Sequence, residues 1–151
     1  MKVIFAIISL YLIYTLFRYC TSLVLLLRNK FYTEFLFKKI DILFKQRYNL
    51  IEKFLPNDKF AELTQAKSLS DELINIDRKI ALNYLLENMI TENSQPEFIQ
   101  YKSLTEEIAI LAKEYNKYAE KLKQNTEIYP ASFLARLMNI KSVDFIKTTK
   151  I

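Results

Sequence analysis

Residues 1–55 read MKVIFAIISLYLIYTLFRYCTSLVLLLRNKFYTEFLFKKIDILFKQRYNLIEKFL, without a proline, a glycine or a cluster of turn residues. Nothing in that stretch breaks a helix, so it predicts one. At about 1.5 Å per residue such a helix is roughly 80 Å long, about twice what one crossing of a bilayer with its headgroups requires. Its second half must therefore leave the membrane and pack against other helices. The expected architecture is all-α: an N-terminal transmembrane helix continuous with an antiparallel four-helix bundle of long helices and a short fourth. The expected divisions are an anchor and juxtamembrane segment over 1–27, a helical bundle over 28–146 and a frayed tail over 147–151.

Within the anchor, Val3 to Phe17 is apolar and carries Tyr11 and Tyr14, followed by Arg18-Tyr19-Cys20-Thr21-Ser22 and a second apolar run, Leu23 to Leu27. Two registers compete. A span over 3–20 leaves Arg18 and Tyr19 at the interface, where a guanidinium snorkels and a phenol joins the aromatic belt. A span over 5–27 puts Arg18 near the bilayer centre at a cost of about 2.5 to 3.5 kcal/mol. The first register is preferred. A cleaved signal peptide also starts with a Lys2-like charge and an apolar core, but small residues at a cleavage site are missing. Phe17-Arg18-Tyr19 before Cys20 makes no lipoprotein box, so a retained anchor is expected. Cys20, at the interface, is either an acylation site or an ordinary small apolar residue, and the second is the simpler reading.

The chain carries a formal net charge of +5, unevenly placed: residues 1–55 hold nine Lys/Arg against three Asp/Glu, and the remainder thirteen against fourteen. This argues against nucleic acid, which requires a basic face on the folded domain, and toward a membrane surface. Arg18, Arg28 and Lys30 follow the span while Lys2 alone precedes it, so the bundle is expected on the cytoplasmic side. Lys38, Lys39, Lys45 and Arg47 lie beyond the reach of the surface potential. They fit a solvated helix face, with Glu34–Lys38 and Asp41–Lys45 as i,i+4 pairs.

Leu36, Ile40, Leu43, Leu50 and Phe54 fall at alternating spacings of three and four, with Arg47 in the remaining slot, and Phe37, Phe44, Tyr48 and Ile51 widen the stripe. So broad a face contacts more than one neighbour. Arg47 on that face calls for an acidic partner, and Glu107 or Glu114 of the third helix are the candidates. Pro56-Asn57-Asp58 ends the helix. A second helix is expected over 58–91, with Leu69, Leu73, Ile76, Ile80, Leu86, Met89 and Ile90 on its apolar side. Ser94 then caps a third helix whose first turn holds Pro96 and Glu97. That helix has the clearest period in the chain: Tyr101, Leu104, Ile108, Leu111, Tyr115, Tyr118 and Leu122 occupy successive a and d positions. Tyrosines at that spacing are core residues with tethered hydroxyls before they are a ligand-binding wall. A short fourth helix starts near Pro130, carries Phe133, Leu134, Leu137 and Met138, and ends around Asn139.

The composition excludes more chemistry than it suggests. Histidine and glycine are absent, cysteine occurs once and proline three times. No Ser-His or Cys-His relay, histidine-bearing zinc or di-iron site, haem-ligating histidine, disulfide or glycine-rich phosphate loop can be built from these residues. No catalytic, cofactor-binding or metal-binding residue is assigned.

Two stretches resemble the LemA family of bacterial membrane-anchored helical proteins. Ile40-Asp41-Ile42-Leu43-Phe44-Lys45-Gln46-Arg47-Tyr48-Asn49-Leu50-Ile51 is similar to the Ile-Asp, basic-cluster, aromatic-Asp-Leu-Ile run of that family's first bundle helix. Tyr115-Asn116, then Tyr129-Pro130, Ala135, Asn139-Ile140 and Phe145, follow the family's Tyr-Asn, Phe-Pro, Ala, Gly-Phe and final Phe. Glu52 departs from a usual proline, Asn139 stands where the family has glycine, and the region around 56–95 is short. Asparagine tolerates a left-handed C-cap best after glycine, so the second departure is physically coherent. The resemblance implies a membrane-tied four-helix bundle with no established enzymatic activity, and it lends no catalytic residues.

The expected function is therefore a non-catalytic, single-pass scaffold of the inner cell membrane whose partners are the lipid bilayer and another protein, with no nucleic acid, metal or cofactor. A lipid-binding or membrane-organising protein using the basic first helix is the alternative. A carboxylate-dependent enzyme is remote, because pairs such as Glu106-Glu107 and Asp71-Glu72 diverge around a helix.

Overall fold

A computed structural model describes residues 2–51 and 96–146, together with Ala61, Thr64, Gln65 and Ser68. Among the described residues the chain is helical, with no strand. Helix α1 spans Lys2–Ile51, α2 spans Pro96–Glu127, and the short α3 spans Ala131–Leu137. Most of the expected second helix over 58–91 lies outside the described residues, and the four isolated residues within it are helical. The calls on Phe54, on Ser94 and on the tail over 147–151 also lie outside them.

The contacts divide the chain into two compact units, Met1–Glu34 with Lys117–Phe145, and Phe35–Asn116 with Ile146–Ile151. Both long helices contribute to each.

In the first unit α1 and α2 run antiparallel, because Tyr19 meets Tyr129 while Tyr32 stacks on Tyr118, with ring centroids 4.9 Å apart. Leu26, Leu122, Ala135 and Ile140 form the core, with Leu134 and Val143 packed against it. Asn29 and Thr33 are also buried, and the Thr33 hydroxyl donates to the Asn29 carbonyl at 2.7 Å. A threonine in mid-helix satisfies its own hydroxyl in this way, so it can occupy a packed position without an external partner.

Helix α3 begins after Pro130 and ends before Asn139, as expected. Its buried residues are Ala131 and Ala135, whereas Phe133, Leu137 and Met138 are exposed and Leu134 is half-buried. The phase is set at the end of the helix. Pro130, at its start, is buried. At its end Asn139 takes φ 51°, its N–H donates to the Arg136 carbonyl at 3.2 Å, and the Ile140 N–H reaches the Ala135 carbonyl at 2.8 Å. This pair of bonds is the Schellman arrangement, and its accompanying apolar contact joins the residues at C″ and C3. Here those are Ile140 and Ala135, both in the core. Anchoring Ile140 turns the alanine face inward and the large side chains outward.

In the second unit the buried residues of α1 are Leu36, Ile40, Leu43, Phe44, Arg47, Tyr48 and Leu50, and those of α2 are Tyr101, Ile108, Leu111, Ala112 and Tyr115. The two runs are antiparallel here as well, since Lys39 pairs with Glu107 and Arg47 with Tyr101. Ala112 is fully buried beside the expected a/d seam, and a side chain that small admits a close approach at that level. The Asn116 amide clips the end of the described chain, donating to the Ile146 carbonyl at 2.7 Å and accepting from the Ile146 N–H at 2.7 Å. Two hydrogen bonds of about 0.5 to 1.5 kcal/mol each hold the buried Ile146 in place.

Because Asn139 is left-handed, Asn139→Gly should match or slightly exceed the parent in stability. Asn139→Val should lose about 1 to 3 kcal/mol, as a β-branched residue does at positive φ. Melting of the full chain in detergent micelles, followed by circular dichroism, checks the order Gly, Asn, Val.

Candidate functional site

The residue types along α1 divide it into two lengths. From Lys2 to Arg18 every side chain is exposed except Thr15, which is half-buried. The exposed set includes Val3, Ile4, Phe5, Ile7, Ile8, Leu10, Leu12, Ile13, Leu16 and Phe17. From Tyr19 onward a rhythm sets in, with Tyr19, Ser22 and Leu23 half-buried and Leu26, Asn29 and Thr33 buried. Among the described residues, α1 holds the one stretch long and apolar enough to cross a membrane. Two hydroxyls of that stretch bond back to their own helix: Thr15 donates to the Leu12 carbonyl at 2.9 Å, and Thr21 reaches the carbonyls of Phe17 and Arg18, each at 3.0 Å.

Tyr19 marks the boundary. Its ring stands nearly perpendicular to that of Tyr129, with centroids 5.9 Å apart and an interplanar angle of 87°, and the two hydroxyls are hydrogen-bonded. Arg18 and Cys20 on either side are exposed. An edge-to-face pair of phenols with its polar ends together suits a zone where apolar and aqueous surroundings meet.

The tyrosines divide as well. Tyr101 and Tyr115 are buried, in keeping with a core role. Tyr118 is half-buried, and one of its neighbours is Lys121, whose Nζ lies 5.5 Å from the ring centroid.

Among the described residues Arg47 is one of the large side chains that are fully buried, 1% exposed, and its guanidinium carbon lies 5.0 Å from the centre of the Tyr101 ring. The expected acidic partners are placed otherwise: Glu107 pairs with Lys39 at 3.8 Å, and Glu114 is exposed. A ring face attracts a cation through its quadrupole, so Tyr101 is one neighbour of a guanidinium that engages other groups as well.

Other basic residues of α1 are engaged in pairs. Lys30 lies 3.7 Å from Glu34, and Lys45 lies 3.1 Å from Asp41. The expected Asp41–Lys45 pair is present, and Glu34 meets Lys30. Among the described residues no group of three or more acidic or cysteine side chains gathers as metal ligands would. Glu106 and Glu107 are both exposed, and Glu107 is engaged with Lys39.

No protein-family model, no curated protein and no solved structure matches the chain.

The Arg47–Tyr101 contact gives a graded expectation. Tyr101→Phe keeps the ring under the cation and should cost less than about 1.5 kcal/mol. Tyr101→Leu loses the cation–π term of about 0.5 to 2 kcal/mol in addition, and Tyr101→Ala should lose about 3 to 5 kcal/mol as a large cavity opens. Denaturant titration of the three variants in micelles checks that order.

Proposed function

We propose that this chain is a membrane-anchored, non-catalytic helical scaffold, held by residues 3–20 of α1 and presenting its packed helices to another protein. The observation that carries the reading is the change along α1 from an all-round exposed apolar surface over Lys2–Phe17 to a helix buried on one face from Leu26 onward. A helix apolar on every side is stable only in lipid or inside a large protein core, whereas one buried along a single stripe is stable in a bundle. One helix carrying both patterns suits a protein that lives partly in each solvent.

The excess of Lys/Arg after the span, Arg18, Arg28 and Lys30 against Lys2, supports a single-pass arrangement in the inner membrane with the bundle in the cytoplasm. The heptad-like spacing on α1 and α2 and the apolar pattern of residues 58–91 support an antiparallel bundle of four helices, with α3 as its short member. The resemblance to the LemA family supports the same reading. The residues through which it runs do architectural work: Tyr115 and Ala135 are buried, Asn116 clips Ile146 and Asn139 ends α3. Ion pairing of Lys30, Lys39 and Lys45 within the chain weakens the competing idea that the basic first helix lies along an anionic leaflet.

The exposed apolar side chains of Ile42 on α1 and Ile110 on α2 offer places to test partner contact without touching the core. Photo-crosslinking of the full chain in native membranes should recover one reproducible protein, and an Ile42→Glu, Ile110→Glu double variant should lose it while remaining in the carbonate-washed membrane pellet. Recovery of the same abundant membrane proteins by parent and variant alike would contradict the scaffold role.

A further inference from the structure

We propose that the elbow between α2 and α3 is a second membrane contact, with Ile128, Tyr129 and Phe133 entering the interfacial layer beside the point where α1 leaves the bilayer. The proposal rests on the reading of residues 3–20 as the span. Three observations within the first unit carry it.

The first is exposure: Ile128 is 63%, Tyr129 62% and Phe133 53% exposed. These are large apolar or amphipathic side chains on consecutive turns of one bend, and water is a poor solvent for them. The second is position. The ring and hydroxyl contact of Tyr129 with Tyr19 fixes the elbow at the boundary of the bare length of α1, so its apolar surface adjoins surface already assigned to lipid. Each headgroup layer is about 5 to 7 Å deep, and a side chain one ring away from Tyr19 lies within that distance of the hydrocarbon.

The third is low desolvation cost. From Gln124 to Ala135 the only charged residue is Glu127, and it is exposed, which lets its carboxylate remain among the headgroups. The bend also satisfies much of its own backbone. The Ile128 N–H donates to the Gln124 carbonyl at 3.1 Å, the Ser132 N–H donates to the Ile128 carbonyl at 2.9 Å, and Pro130 has no N–H to leave unpaired. Backbone groups unsatisfied in lipid would cost several kcal/mol each, so a turn closed in this way can approach the acyl chains where an open loop cannot. The outward phase of α3, imposed by the Schellman closure at Asn139, is what brings Phe133 to the surface.

The test uses the full chain with Cys20→Ser, one chain per lipid nanodisc, and single cysteines at Leu10→Cys, Phe133→Cys or Lys117→Cys carrying an environment-sensitive fluorophore. All three parent side chains are exposed and lie in the first unit, so folding, checked by circular dichroism, should survive. Nitroxide-labelled lipids then quench at shallow or deep positions. The proposal expects position 10 to be quenched by the deep label, position 133 to be quenched by the shallow label at least threefold more than position 117, and position 117 to resemble a probe in water. A position 133 probe as unquenched as position 117, with position 10 still quenched, overturns the elbow contact and leaves the span standing. An unquenched position 10 overturns the span and the contact with it. Shielding of position 133 that appears only when several chains share a membrane assigns the elbow to a second copy and also overturns the proposal.

Discussion

An α-helix satisfies its own backbone wherever it goes, so what its side chains require decides which surroundings it can enter. In α1 that requirement changes within about one turn. Up to Phe17 the apolar side chains point in all directions and, among the described residues, nearly all stay exposed; from Tyr19 the burial recurs on one face. The helix itself is continuous across the change. A break there would have to be stabilised by caps or by a proline, and the sequence supplies neither. The absence of glycine, which removes the residue best suited to a bend, belongs to the same constraint.

The packed length is organised by close approach more than by bulk. Ala112, Ala119, Ala131 and Ala135 are all buried, and side chains that small let packed elements approach closely. The polar residues inside the packing have local solutions: Thr33 bonds back to its own helix, Arg47 lies against an aromatic face, and Asn116 exchanges two hydrogen bonds with Ile146. Among the described residues, Asn29 Oδ1 is buried without a hydrogen-bond partner, at the desolvation cost of about 1 to 3 kcal/mol that a core polar atom incurs.

Much of this was legible in the residues. Alternating spacings of three and four located the buried face of α1 from Leu36 and that of α2 from Tyr101, because strongly apolar side chains there announce the period. The left-handed turn at Asn139 was pointed to by the resemblance, in which glycine stands at that place, and asparagine is the residue that best tolerates the conformation after glycine. The continuation of the α1 seam upstream through Asn29 and Thr33 was hidden, because a hydropathy pattern cannot distinguish a buried polar residue from a solvated one. Which face of α3 is buried was not legible, because a helix of seven residues is too short to display a period; the closure at Ile140 turns the alanines inward. At Arg47 charge complementarity pointed to Glu107 or Glu114; Glu107 pairs with Lys39, Glu114 is exposed, and the Tyr101 ring is one of the groups that the guanidinium meets.

The central claim, that α1 passes from lipid to protein packing at Tyr19, is tested most directly by nitroxide scanning of residues 8–30 in the full chain reconstituted in bilayers. Collision rates with oxygen and with a water-soluble nickel chelate would be read at each site. Uniformly high oxygen and low nickel accessibility is predicted through Phe17, followed by a rhythm with minima at Tyr19, Ser22, Leu26 and Asn29. Nickel collisions at every site from 8 to 17, or the same rhythm of minima continuing upstream of Tyr19, would contradict it.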